Sequence, residues 1–161
     1  MKINLGAGND IKDGYINHDI RKHRDDIDIT FNLNDKYWKI YQGGFLEDTD
    51  KKGNHFDEIR AWDVLEHLDS VIDFMNNCWD LLKEDGVLDI KVCGYQNESF
   101  HIDPTHKKGY HIKSFDYFIP GTELGKEYGY YSDKRWTIVT EPHYDRKGNV
   151  MVKLSPIKTI L

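Results

Sequence analysis

The chain has little cysteine: two residues, Cys78 and Cys93, in 161. Cys78 falls on an apolar helical stripe and Cys93 at the end of an apolar strand. Those positions suit two reduced, buried thiols rather than a disulfide framework, and the lack of paired cysteines leaves no structural zinc set. Long apolar runs are also missing. None approaches the roughly 20 residues that a membrane span needs. The opening Met1-Lys2-Ile3-Asn4 enters a strand-like pattern at once, so no signal peptide is expected. A soluble, cytoplasmic protein without membrane contact is the expectation. Nor is there an excess of basic charge. A formal net charge of −6 disfavours a general nucleic-acid binder, which needs clustered Lys and Arg. It leaves room for a protein that reads one nucleotide or a free base. Internal repeats and low-complexity segments are absent as well.

What is present fits one compact domain over residues 1–161. Ten Tyr, seven Phe and four Trp can furnish its core. Strand and helix signals alternate through the first 95 residues, the pattern of a parallel α/β sheet. Ile3-Asn4-Leu5 reads as a strand running into Gly6-Ala7-Gly8, Tyr15 to Ile20 as a second, and Ile27 to Phe31 as a third. Residues 35–55 read as irregular, with Gly43-Gly44 and Lys51-Lys52-Gly53-Asn54 marking loops. Phe56 to Trp62 is the fourth strand.

A helix follows. Ser70 with Asp73 resembles a capping box, and Val71, Met75, Cys78 and Leu82 recur with the period of one buried helical face. Lys83-Glu84-Asp85-Gly86 should end it, with Gly86 in the left-handed C′ position. Val87 to Val92 is the fifth strand. Beyond residue 95 comes a polar, His-rich loop from Gln96 to His111, then a short amphipathic segment, Ser114 to Phe118, stopped by Pro120-Gly121. Trp136 to Thr140 and Val150 to Leu154, joined through Asp145 to Asn149, read as a hairpin.

Gly6-Ala7-Gly8 suits close approach of a ligand to the backbone, since glycine has no Cβ in the way. Ligands of open α/β sheets sit outside the carboxyl ends of the strands, where this turn lies. The third glycine of the dinucleotide fingerprint is missing. Only ten residues separate Gly8 from Asp19, too few for a full crossover helix. Asn9 to Gly14 must be a loop or a single turn, which points away from a pyrophosphate seated on a helix dipole. Asp19 closes the second strand, where a carboxylate can accept both hydroxyls of a ribose. A solvated acid at a strand end is the plainer alternative.

Asp57 to Leu68 carries the stretch Asp63-Val64-Leu65-Glu66-His67-Leu68. Together with Asn4 to Gly8, Gly14 to Ile20 and Leu81 to Leu88, in that order, it resembles the class I S-adenosylmethionine-dependent methyltransferases. More narrowly it is similar to their short, type 11-like branch, over roughly residues 3–95. The resemblance implies a Rossmann-like α/β fold: three layers around a mainly parallel sheet, with the antiparallel hairpin at its C-terminal end. Residues 1–95 would be the cofactor-binding half, and 96–161 would hold a substrate loop, a short helix and the hairpin.

The resemblance also implies roles. Gly6, Ala7 and Gly8 would border the methionine part of S-adenosylmethionine. Asp19 would hold the ribose hydroxyls and Ile20 would lie against the adenine. Asn32-Leu33 stands where the family often has an acid that touches the adenine amino group. Asp63, Leu65 and His67 would sit beside the methionine end, although Leu65 reads more readily as core packing, and ordinary helix surface is the alternative for Glu66-His67. Ala7 replaces a frequent Cys, and Asp85-Gly86 replaces a Pro-Gly or Gly-Gly.

Methyl transfer is an in-line displacement that needs the acceptor held near 3–3.5 Å and a base for its proton. Asp103 and His106, in the loop after the fifth strand, are the candidates for that base or for orienting the acceptor. Asp103-Pro104 starting a turn capped by His106 is the plain alternative. His101-x-Asp103 with a later histidine (His106, His111 or His143) also matches a two-His-one-carboxylate iron triad. That triad belongs on a β-barrel, which this pattern does not predict, and no metal ligand is assigned. His106, Lys107, Lys108, His111 and Lys113 cluster, as for a small-molecule or nucleotide-like anionic acceptor, or simply as a solvated loop face. With Met1 right before the first strand, the family's N-terminal covering helices are expected to be absent. The site would be open, or closed by loops 35–55 and 96–135 or by a second copy of the chain in a homodimer. A degenerate methyltransferase fold serving as a binding or regulatory subunit is the alternative function.

Overall fold

The computed structural model describes residues 1–38 and 55–158. The loop expected over 35–55 therefore lies largely outside the described residues. Among the described residues, seven strands form one sheet: β1 (Lys2–Leu5), β2 (Ile16–Asp19), β3 (Ile29–Thr30), β4 (Phe56–Trp62), β5 (Leu82–Val92), β6 (Arg135–Tyr144) and β7 (Val150–Ile157). Their order is β3-β2-β1-β4-β5-β7-β6. The first five pair in parallel. β7 inserts antiparallel beside β5, with β6 as its hairpin partner. This is the mainly parallel sheet with a C-terminal antiparallel hairpin that the sequence pattern predicts. Among the described residues, no helix is long and apolar enough to cross a membrane.

Register decides what each face of the sheet carries, because cross-strand partners point to the same side. Ile3, Ile59, Leu88 and Leu154 are successive partners across β1, β4, β5 and β7, and Leu5, Ala61, Ile90 and Val152 form the next row. Both rows are fully or almost fully buried, in one cluster with Phe74, Met75 and Cys78 of helix α1 (Val71–Leu81). The Ser70 hydroxyl accepts from Asp73 N–H at 3.1 Å, so the expected N-cap is formed. Phe115 and Phe118, from the 3-10 segment Ile112–Phe118, extend the same cluster beside Trp136.

The opposite face carries a polar row: Asn17, Asn4, Arg60, Asp89 and Lys153, partners in register from β2 to β7. The first four are buried. The 9–14 connection, loop rather than helix as its length requires, closes over part of this row. The Asn4 amide donates to the Asp10 carbonyl at 2.8 Å, and the Asn17 amide to the Lys12 carbonyl at 3.1 Å. Arg60 reaches Asn4 Oδ1 at 2.8 Å and Asp10 Oδ2 at 2.7 Å. Its guanidinium stacks 3.9 Å from the Trp62 ring. A buried polar network thus covers sheet where a crossover helix has no room, and it is satisfied by partners on the loop itself.

The end of α1 corrects one expectation. Positive φ among the glycines is confined to Gly6, Gly8, Gly14 and Gly148 in the described residues, so Gly86 is not a left-handed C′ cap. The helix runs directly into an extended β5 at Leu82, whose N–H bonds to the Cys78 carbonyl. Lys83 to Gly86 bulge between the pairings Phe56↔Leu82 and Glu58↔Val87. A Cβ at Gly86 would lie 2.9 Å from the Phe56 carbonyl oxygen. Close backbone approach, not handedness, is what glycine supplies there.

Candidate functional site

The strand order reverses around β1 and β4, which opens a crevice beyond their carboxyl ends. A cleft of about 270 Å³ lies there. Gly6, Asp19, Ile20, Asn32, Leu33, Asp63 and His67 line it, joined by His18, Asn34, Val64 and Leu68. Seven positions singled out in the sequence thus share one concavity. Ala7 is buried beneath it, Gly8 borders it through Asp19, and Leu65 sits in the core with no exposed surface.

Asp19 ends β2 with both carboxylate oxygens already oriented. Gly8 N–H donates to Oδ2 at 2.9 Å and Ile20 N–H to Oδ1 at 2.8 Å. Each oxygen keeps a lone-pair direction for a ligand hydroxyl. Ile20 presents 65% of its surface, an apolar patch at the mouth of the cleft.

His18 is a wall residue that sequence reasoning missed. Gly6 N–H donates to its Nδ1 at 3.2 Å, and Nε2 stands 3.0 Å from the Phe31 carbonyl. An acceptor at Nδ1 and a donor at Nε2 define one neutral tautomer. Burial lowers its pKa below 6.5 and keeps it neutral. Its ring packs 4.0 Å from Phe31, which leads through Trp38 to Phe74 of the core. Asn77 of α1 accepts from Trp38 N–H and donates to the Asp35 and Lys36 carbonyls, fixing the 32–38 wall.

Asp63 is the turning point of the site. It follows β4 with φ +57°, a left-handed conformation that Asp tolerates better than most residues. Its N–H bonds to the Lys91 carbonyl, and its carboxylate pairs with Lys91 Nζ at 2.5 Å. Asp63 also borders a second, more open hollow of about 540 Å³, lined by Lys91, Glu98, Ser99, Lys147 and Asn149 among others.

Asp103 and His106 come close to the first cleft through His67. The Thr105 hydroxyl donates to Asp103 Oδ1 at 2.7 Å and lies 2.9 Å from His67 Nδ1. Its hydroxyl and backbone N–H together hold the Asp103 carboxyl below the usual carboxylate range. His106 Nε2 stands 3.7 Å from Asp103 Oδ2, and its ring packs 4.7 Å from that of His67. The basic cluster is partly neutralised: Lys107 pairs with Asp69, and Lys108 lies 5.2 Å from the Tyr110 ring centre.

Glu66 is the other residue whose role the sequence reading left as surface. It is 1% exposed, and its Oε1 accepts from Cys93 N–H at 3.1 Å. Burial raises its pKa to about 7. His101 and Asp103 do not assemble an iron triad. Among the described residues, the group that gathers is Glu66, His67 and His106.

The fold has a relative among solved structures. It is similar to a SAM dependent methyltransferase from Archaeoglobus fulgidus, with a TM-score of 0.54 and 15% sequence identity, over 90% of this chain and 66% of that one. The chain thus spans slightly under two thirds of that protein. At this identity the likeness establishes the fold. The sequence matches no protein-family model and no curated protein.

Proposed function

We propose that the chain binds S-adenosylmethionine in the cleft beyond β1, β2 and β4 and directs its methyl group to a small polar acceptor. The observation that carries this reading is the Asp19 carboxylate, held by Gly8 and Ile20 N–H groups at the edge of a cleft too short in its first connection for a dinucleotide helix. Asp19 would accept the ribose hydroxyls and Ile20 would cover one face of the adenine. Asn32 Oδ1 is taken by Asn34 N–H, so its amide nitrogen would donate to the adenine ring. Gly6, Ala7, Gly8, Asp63, Leu65 and His67 would surround the methionine end, Leu65 from beneath as packing. Bound there, the cofactor would supply an electrophilic methyl group on its sulfonium sulfur.

The second hollow, on the far side of Asp63, is where an acceptor would lie. Lys91 on its wall is paired with Asp63, which leaves Lys147 as the cationic contact for an anionic or phosphate-bearing one. Asp103 and His106 belong to this reading as orienting groups or proton acceptors reached through His67. The likeness to the Archaeoglobus fulgidus SAM dependent methyltransferase supports the reading at the level of fold.

A thermal melt with S-adenosylmethionine and with S-adenosylhomocysteine tests it. A ligand at one hundred times its Kd adds about 2.7 kcal/mol and raises Tm by several degrees. An unchanged Tm with both at saturating concentration contradicts the proposal.

A further inference from the structure

We infer that Glu66, His67 and His106 form a binding site for a divalent first-row transition-metal ion on the wall of the cleft. One donor atom from each lies within 4.8 Å of the others. Two of these residues also carry a buried atom with no hydrogen-bond partner: Glu66 Oε2 and His106 Nδ1. Glu66 is 1% exposed and the His106 side chain 8%. Buried polar atoms are otherwise almost always paired, so two unpartnered atoms on residues whose ligand atoms gather this closely mark a place for a missing partner.

The surrounding contacts indicate which nitrogen each imidazole offers, through a hydrogen bond at His67 and an unpartnered Nδ1 at His106. A carboxylate only accepts, so the Thr105 hydroxyl spends its one proton on Asp103 Oδ1. The contact from His67 Nδ1 to Thr105 Oγ1 at 2.9 Å must then be donated by the ring. That leaves a lone pair on His67 Nε2. His106 turns Nε2 toward Asp103 Oδ2 at 3.7 Å and leaves Nδ1 as its ligand atom. Asp103 thus stands behind both histidines, joined to His67 through Thr105 and 3.7 Å from His106 Nε2, the outer position that carboxylates take behind metal-bound imidazoles.

The backbone holds the three side chains together from distant parts of the chain. Glu66 and His67 lie in the 3-10 turn Leu65–His67, and Lys107 N–H bonds to the Glu66 carbonyl at 2.7 Å, pinning the loop that carries His106. An ion bound at about 2.1 Å from each donor would draw the donors to roughly 3–4 Å apart, a closure of about 1 Å. Two imidazoles and one carboxylate suit zinc, iron or a similar ion, with open positions left for water or a ligand oxygen. His67 also lines the cleft, so those positions lie beside the ligand space. Binding of the ion needs no other ligand, so the site stands or falls apart from the cofactor reading.

The test uses the full chain stripped with a chelator and titrated with Zn²⁺ and with Co²⁺ alone, by calorimetry and by the visible absorption of bound Co²⁺. The expected result is one equivalent bound, with Glu66→Gln and His106→Asn each weakening binding at least tenfold. Asp103→Asn should weaken it by about 10–100-fold without removing a ligand. His143→Asn, an exposed histidine outside the group, should leave it unchanged. Glu66→Gln keeps the side-chain shape, so it remains informative if His106→Asn fails to fold. No binding by the parent chain, or equal binding by Glu66→Gln, overturns the site. Titration of the same samples with S-adenosylhomocysteine reports on the cofactor independently.

Discussion

The backbone N–H of Gly8 donates to Oδ2 of Asp19 at 2.9 Å, tying the turn after β1 to the end of β2. The bond turns the carboxylate toward the cleft before any ligand arrives. Asp19→Ala should weaken binding of S-adenosylhomocysteine by about 10–150-fold, since a charge-assisted hydrogen bond is worth about 1.5–3 kcal/mol. Calorimetric titration of parent and variant checks it. Equal affinity would remove Asp19 from the ribose position.

Gly6 and Gly8 both have positive φ, yet their surroundings differ. A Cβ on Gly6 would lie 2.6 Å from Val64 Cγ2, whereas one on Gly8 meets nothing within 4 Å. Gly8→Ala carries only the left-handed backbone penalty of about 1–2 kcal/mol. Gly6→Ala adds a steric one of about 1–3 kcal/mol. Urea denaturation should rank the two variants in that order, Gly6→Ala the less stable.

Most of this frame was legible in the residues. β4 over Phe56–Trp62, the Ser70 cap and the hairpin through Asp145 to Asn149 follow from periodicity and turn chemistry, which are local. Gly86 misled because a helix-stop pattern and a bulge in an extended strand use the same residues. Only the Phe56 carbonyl, distant in sequence, decides between them. His18, Asn77 and Arg60 were passed over because each is a buried polar residue whose partners come from other elements. Glu66 and His106 are 40 positions apart, and no spacing rule joins a turn after β4 to a loop after β5.

Arg60 bridges Asn4 and Asp10 beneath the 9–14 loop. Arg60→Ala should lower unfolding free energy by about 2–3 kcal/mol, because Asn4 Oδ1 stays buried without its donor. Asp10 is half exposed and recovers water, which keeps the loss below that of a fully buried pair. Chemical denaturation measures the difference. A loss below about 0.5 kcal/mol would mean that the loop is held by other contacts.

Stability should fall on the acid side. The unfolded His18 takes up a proton near pH 6.5, while burial keeps the folded ring neutral to lower pH. The unfolded chain therefore binds more protons in that window. The contribution is complete above pH 6.5 and is lost as pH drops toward the folded value. His18→Asn should flatten this part of the curve, as read from denaturation midpoints on either side of pH 6.5. An unchanged slope would assign the acid limb to other groups.

The most direct measurement is calorimetric titration of the parent chain with S-adenosylhomocysteine, run beside an identical titration with NAD⁺. Saturable one-to-one binding of the first and none of the second is the predicted result. The connection from Gly8 to Asp19 has room for a nucleoside but no helix for a pyrophosphate. No heat with S-adenosylhomocysteine at high micromolar protein and ligand, or equal binding of both compounds, would contradict a methyl-donor site at the ends of β1, β2 and β4.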